Sequence, residues 1–473
     1  MSEKIIAEKN TSKSTSQWTQ IAYSLGTLAD NLALQNFLFL GFSFYYAVIG
    51  LPIWMVTIGY VVYSIWDAFD DPMLGVLSDR TKSKWGRRRP WIYIATIPLC
   101  ILMVTLWTPP TSSNGITLFY LIIMLIIFDL FFTMYTVNFN SLWPEMFLTV
   151  KDRSSVGVWR NIFTIIGLII AFLVPGFIIE DMTNQRGLEK TPSEFMMNGI
   201  IAAVVVFITI AIMLKWGSFE RKEFSKDVET APSWKDSLKI TVKNKAFTTY
   251  AITALAVFIV YGILPLLIPF YAVFVLNMGS ADSLEVSLLI FSALLVGAIS
   301  TPFWAILRKK WGVRKSYMIS LGYWGLTLLA FMFANDIVSG FIVIFFMGFG
   351  LGGSLYLYDQ GIALVIDDDE VRSGLGIRRE GSYYGVIAFF NRFSNAINLI
   401  IVGIVFTGTG WGEYTPKPGA DVILGLRFLL GVWPVVVILI AIFFLYKWPI
   451  HGERLKENEK LLKELHEEKR AKL

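Results

Sequence analysis

Runs of apolar residues long enough to cross a bilayer recur along the whole chain, at 18–46, 51–78, 90–110, 115–145, 157–180, 195–217, 246–276, 283–307, 314–334, 336–365, 381–408 and 420–447. A segment of about twenty apolar residues spans the hydrocarbon as a helix, because only an α-helix or a closed barrel satisfies its backbone hydrogen bonds without water. Stretches such as Gly199 to Met213 and Val435 to Tyr446 carry no charged face that a soluble fold could turn to solvent. The pattern therefore predicts an all-α membrane protein of twelve transmembrane helices and argues against a soluble multidomain enzyme. The first seventeen residues are polar and show no cleavable leader, so the first span is expected to direct insertion. The single cysteine, Cys100, lies in an apolar run and offers neither a disulfide nor a metal site.

The net charge of +5 is topological rather than a sign of nucleic-acid binding. Of the 41 lysines and arginines, 36 fall in the two tails and in the loops joining even to odd spans, while Arg186, Lys190 and Lys417 lie on the other side. An even span count puts both termini on one face, and the positive-inside rule makes that face the cytoplasm of a plasma membrane. The expected organisation is a tail at 1–17, a six-helix bundle at 18–217, a cytoplasmic linker at 218–245, a second bundle at 246–448 and a tail at 449–473. The last segment mixes Glu and Lys with leucines at helical spacing and reads as a short amphipathic helix or, more simply, a solvated tail.

The two halves echo each other. Arg153-Ser-Ser-Val-Gly-Val-Trp-Arg160 aligns without gaps on Arg372-Ser-Gly-Leu-Gly-Ile-Arg-Arg379, and Lys84-Trp85-Gly86-Arg87-Arg88-Arg89 aligns on Lys310-Trp311-Gly312-Val313-Arg314-Lys315. Both echoes occupy corresponding loops of a six-plus-six arrangement, as a parallel duplication requires.

Several motifs sit between and within these spans. The loop after the second span reads Gly75-Val-Leu-Ser-Asp79-Arg80, then Gly86-Arg87-Arg88-Arg89-Pro90-Trp91; Ile65-Trp66-Asp67-Ala68-Phe69-Asp70-Asp71-Pro72 precedes it. Leu142-Trp143-Pro144-Glu145-Met146 with Asp152-Arg153 closes the fourth span, and Ile366-Asp367-Asp368-Asp369-Glu370 runs on towards Arg378-Arg379-Glu380. In order and spacing these resemble the glycoside-pentoside-hexuronide:cation symporters, the melibiose permease-like branch of the major facilitator superfamily, over most of the chain. The resemblance implies a major facilitator fold of two six-helix halves and gradient-driven symport of a sugar or glycoside. It also implies a gating motif at Gly75, Asp79, Arg80, Gly86, Arg87, Arg88, Glu145, Arg153, Asp368 and Arg379.

Asp67, Asp70 and Asp71 lie on a span too apolar to expose them to lipid, and residues three and four apart share a helical face. Carboxylates inside a membrane are costly and mark ion or proton paths. The resemblance places the coupling cation on Asp67 and Asp71, with Asp70 in the neighbouring ligand's place and Thr133 on the fourth span. Hard oxygen ligands suit Na+, and three carboxylates so close suit H+ equally. No cofactor and no metal beyond a coupling Na+ is expected.

Sugars are held by groups that pair with hydroxyls and by aromatic rings. Tyr23, Asp30, Asn31 and Gln35 on the first span supply such groups, and Asp129, Thr136 and Asn140 continue them on the fourth. The family's two sugar-recognising aspartates fall on Asn31 and Thr136, and its stacking tryptophan on Asn140, so galactoside selectivity is not implied. Arg160 and Arg392 complete the expected substrate site, with Arg392 read as the charge that answers the acids of the second span, either as a latch or as a permanent salt bridge.

Nothing resembles a phosphate-cradling Gly-rich loop, and both histidines, His451 and His466, lie in the tail, so neither ATP-driven transport nor an embedded enzyme is expected. The partners expected are the lipid bilayer and a sugar or glycoside, with no nucleic acid, and the chain is expected to work as a monomer. The alternatives kept open are a transporter of lysolipid or another amphiphile on the same fold and a nontransporting sensor.

Overall fold

The computed structural model describes residues 15–79, 81, 83–147, 150–220, 241–278, 283–372 and 380–471, and it is helical throughout, with no strand among them. Helices start where the sequence supplies a cap. Ser16 accepts from the Thr19 N–H at 3.1 Å before α1 (Gln17–Ser43), Ser113 from the Ile116 N–H at 3.3 Å before α4 (Asn114–Met146), and Asn244 from the Ala246 N–H at 2.9 Å before α7 (Lys245–Phe274). Between these lie α2 (Ile53–Asp79), α3 (Arg89–Thr105), α5 (Val150–Leu173) and α6 (Thr191–Ile212). The second part of the chain adds α8 (Ser283–Leu329), α9 (Ile337–Arg372), α10 (Glu380–Gly408), α11 (Ala420–Arg427), α12 (Trp433–Tyr446) and α13 (Gly452–Ala471).

Among the described residues, eight helices are long and apolar enough to cross a membrane. One of them, Ser283–Met332, contains two crossings' worth of sequence, because Gly312 adopts φ 77° and ψ 169° and breaks α8 there; only glycine takes that conformation without strain. The shorter α3 is apolar as well, whereas α1 and α2, which carry the candidate polar groups, fall outside the eight.

The chain divides into two units. The first comprises Met1–Leu51 and Phe69–Ala231. There α1 packs on α5 and α6, and α3 packs on α4 and α6, with Gly167 admitting the backbone of Leu28 to α5. Small residues permit this approach, which in lipid supplies dispersion contacts that burial from water cannot.

The second unit comprises Pro52–Ala68 and Pro232–Leu473. Both arms of α8 lie along α9, held by Trp304 Nε1 donating to the Phe349 carbonyl at 2.9 Å and by Ser320 and Ser354 hydroxyls 3.1 Å apart. In the same unit, α7 packs on α10 and α12 and also touches α9, while α12 packs on α8. The opening turns of α2 belong to this unit: the Ile53 N–H donates to the Gly412 carbonyl at 2.9 Å and the Thr57 hydroxyl to that of Leu399 at 3.2 Å. The tail differs from a solvated segment. It forms α13, docked on the end of α9, for a reason visible only in three dimensions and given below.

Candidate functional site

Helix α2 buries two of its carboxylates almost completely. Asp67 and Asp70 are each 1% exposed, while Asp71 is half-buried. Within the second unit, Arg392 on α10 meets Asp67, its Nη1 lying 2.7 Å from one carboxylate oxygen and 3.0 Å from the other. Arg392 was expected among both the substrate residues and the answering charges; its position here is on Asp67.

Within the first unit, Asp70 and Asp129 of α4 bring carboxylate oxygens within 4.8 Å of each other. Thr133 lies one turn beyond Asp129, fully buried, and its hydroxyl has no hydrogen-bond partner among the described residues. Within the first unit the geometry thus brings together Asp70 and Asp129 with Thr133 nearby; the sequence suggests a cation on Asp67, Asp70, Asp71 and Thr133. Asp129 was grouped with the sugar ligands; its neighbour is a carboxylate. Buried carboxylate oxygens at this separation repel unless a cation or proton stands between them, and all-oxygen donors suit a hard monovalent ion or H+.

The polar strip expected for substrate forms a connected network on α1, α4 and α5. The Thr136 hydroxyl donates to Asp30 at 2.5 Å, and Asn140 Nδ2 donates to Thr136 at 3.2 Å. Arg160 donates from Nη2 to Asn140 Oδ1 at 2.6 Å and from Nε to the Thr27 hydroxyl at 3.2 Å. Its guanidinium lies 4.8 Å from the centre of the Trp143 ring and 5.4 Å from that of Phe139. Thr27, Phe139 and Trp143 were not foreseen, although Trp143 stands three residues after Asn140, on the same face, where the family's ring was found missing.

Two candidates on α1 are turned inward instead. Tyr23 is fully buried, donates its hydroxyl to the Phe139 carbonyl at 2.7 Å and stacks on the Phe139 ring, so it holds α1 to α4 and presents no free hydroxyl. Asn31 spends its amide on the Thr27 carbonyl of its own helix at 2.8 Å. Gln35 is half-buried on the same helix.

Several residues of the expected gating motif are tied through backbone groups. Gly86, at φ 102°, turns the chain so that the N–H groups of Arg87, Arg88 and Arg89 converge on the Glu220 carboxylate at 2.6, 2.8 and 2.9 Å. A Cβ at position 86 would fall on that carboxylate. Gly75 is half-buried on α2, with the Val137 side chain as its neighbour across α4. Arg153 donates from Nε to the Phe147 carbonyl at 2.7 Å. Asp368, 1% exposed at the end of α9, accepts both guanidinium arms of Arg454 at 2.8 and 2.7 Å and the Asn458 amide at 2.7 Å. That bond raises the Arg454 pKa above its ordinary value, and it is what docks α13. Arg80 and Arg379 lie outside the described residues, as do the side chains of Asp79 and Glu145.

A bundle of apolar helices that sequesters carboxylates and arginines inside its spans defines the molecule as a multi-pass membrane transporter rather than an enzyme. The model of the MFS/sugar transport protein family matches residues 20–452, and the chain belongs to that family. It is 25% identical over 446 residues to a putative sulfoquinovose importer of Salmonella typhimurium, covering 90% of this chain and 89% of that one. It is 23% identical over 447 residues to a glucuronide carrier protein homolog of Escherichia coli, covering 93% and 94%. It is also 23% identical over 436 residues to the sodium-dependent lysophosphatidylcholine symporter 1-B of Danio rerio, covering 85% and 81%. Among solved structures, the nucleoside transporter NupG superposes with a TM-score of 0.66 at 14% identity, over 91% of this chain and 99% of that one, a likeness of fold.

Proposed function

We propose that this chain is a cation-coupled symporter of a sugar or glycoside, working by alternating access with twelve spans in two six-helix halves and both termini in the cytoplasm of a plasma membrane. The observation that carries the reading is the buried pair of Asp70 and Asp129 with Thr133 beside it. A cation entering there relieves carboxylate repulsion within the first unit, while Arg392 answers Asp67 within the second. Coupling follows if the ion binds one conformation better than the other, since a ligand shifts a conformational equilibrium only through its differential affinity for the two states. The relatives' names support cation coupling and a glycoside-like cargo.

The test is uptake of labelled glycosides, pentoses and hexuronates into proteoliposomes under a sodium or a proton gradient imposed separately, with Asp70→Asn as the comparison. Accumulation driven by one gradient and lost in the variant supports the reading and names the ion; downhill flux indifferent to both gradients overturns coupling. A lysophospholipid cargo is the second reading, favoured by the sodium-dependent lysophosphatidylcholine symporters among the relatives, and a labelled lysolipid belongs in the same panel.

A further inference from the structure

We infer that Asp359 on α9 is a protonation site of the second unit, taking up and releasing H+ separately from the ion held by Asp70 and Asp129. Neither the cargo nor the identity of that ion enters into it. Asp359 lies inside the candidate span Ile337–Arg372 and is exposed there. A carboxylate turned towards lipid is strongly disfavoured, so the exposure is to water. Asp67 and Asp368 of the same unit each meet a guanidinium, whereas no hydrogen bond or ion pair reaches Asp359 among the described residues. An ionisable group kept inside a span without a counter-charge marks an ion or proton path.

What faces Asp359 is a set of phenols. Tyr250 of α7, Tyr317 of the second arm of α8 and Tyr358 beside it on α9 lie within electrostatic reach of its carboxylate, and Tyr384 of α10 lies within reach of Tyr250 and Tyr358. The cations on the elements packed against α9 are engaged elsewhere: Arg308 of α8 by Gln360 at 2.9 Å, Arg392 of α10 by Asp67, and Arg454 of α13 by Asp368. Tyr250 gives its hydroxyl to the Tyr358 carbonyl, but the Tyr317 hydroxyl is fully buried and has no hydrogen-bond partner among the described residues. The Tyr358 hydroxyl accepts from Asn391 Nδ2 at 3.2 Å, and the oxygen of that amide is buried without a donor. A buried donor and a buried acceptor left open around one carboxylate form an unfinished network, and each open group is costly. The carboxylate offers only acceptors, which suit Tyr317 and water; with H+ on one oxygen it becomes an uncharged acid with an O–H to give and a carbonyl oxygen still to accept. Both forms therefore have partners within the unit. The proton comes from water to a carboxylate oxygen and returns to water, with no other bond changed. Tyr250 and Tyr317 stand near the starts of α7 and of the α8 arm that follows Gly312, at the end of the spans that the lysine and arginine distribution assigns to the cytoplasm, so exchange is expected with that side.

The experiment takes the full chain in proteoliposomes with H+ as the only ligand, and follows the carbonyl stretch of protonated carboxyls by infrared difference spectroscopy as pH is stepped up and down. One component of the band is expected to titrate reversibly, to persist in Asp70→Asn and Asp129→Asn, and to vanish in Asp359→Asn. Asp359→Glu should keep a titrating component at a shifted frequency. Tyr317→Phe removes only the open hydroxyl and should move the midpoint of the Asp359 component by about tenfold in proton affinity, the size of one hydrogen bond to a charged group. That variant also reads the site should Asp359→Asn fail to fold. A band untouched by Asp359→Asn and Tyr317→Phe but lost in Asp70→Asn or Asp129→Asn would overturn the inference and put the proton in the first unit. An Asp359 component that stays constant at every pH, or none at all in the unaltered chain, would overturn it as well. No outcome depends on gradient-driven uptake, so the symporter reading stands or falls by its own test.

Discussion

Two of the arginines on the candidate spans, Arg160 and Arg392, have opposite surroundings. Arg392 is met by a buried carboxylate of the same unit, whereas Arg160 is met by an amide, a hydroxyl and two aromatic faces. A buried ion pair is satisfied internally and changes only if something competes for one partner; the charge of Arg160 is answered at one remove, by Asp30 through Thr136 and Asn140. One arrangement suits a conformational latch, the other a shared polar network. The two also differ in what a deletion leaves behind, since removing one half of a buried pair strands a charge, while removing Arg160 leaves Asp30 its Thr136 hydrogen bond.

The largest effect should therefore come from Arg392→Ala. It leaves Asp67, 1% exposed, without its guanidinium, and should lower stability by about 3 kcal/mol, read as thermal unfolding in detergent, with transport lost. Adding Asp67→Asn should return most of the stability and none of the coupling. A double variant no more stable than Arg392→Ala would show that the pair is not the source of the loss.

Asp70→Asn should act on coupling rather than on folding. Removing one of two close buried carboxylates relieves repulsion, so stability should hold or rise slightly while cation-dependent accumulation falls at least tenfold. Asp71→Asn, outside the 4.8 Å cluster, should do less. The reverse order of severity would return the cation to Asp67 and Asp71. Next comes Arg160→Gln, which should cost only about 1–2 kcal/mol of stability through two lost hydrogen bonds and its ring contacts, measured in the same unfolding assay. A loss as large as that of Arg392→Ala would mean that Arg160 is a structural strut.

The all-helical, membrane-type fold was legible because hydropathy acts on each segment separately, and helix ends follow local caps such as Ser113 and Asn244. The polar strip was legible for the same reason: residues three and four apart on one helix must share a face. What the sequence could not rank was contact between helices. Whether Asp70 meets Asp129 depends on which way the end of α2 is turned against α4, a contact between helices that periodicity within one helix does not encode. Glu220 was invisible as the acceptor for Arg87–Arg89 because its partners lie 131 to 133 residues back. The tail looked solvated because its composition is polar, and the acid that docks it stands 86 residues earlier.

That docked tail gives the smallest and most local prediction, and it extends the comparison to a third arginine. Arg454 resembles Arg392 in meeting a buried carboxylate, but its side chain is 34% exposed, and Asp368 keeps Asn458 and Arg372 as further donors. Solvent screening and these remaining partners should hold the cost of Arg454→Ala to under about 1 kcal/mol of global stability. The effect should instead appear in hydrogen exchange, with amides of Gly452–Ala471 losing protection while α9 keeps its own, since a terminal helix held by few contacts opens as a local unit. Loss of protection in α9 as well would make the tail part of the bundle's cooperative core, and Arg454 would then belong with Arg392 rather than between the two.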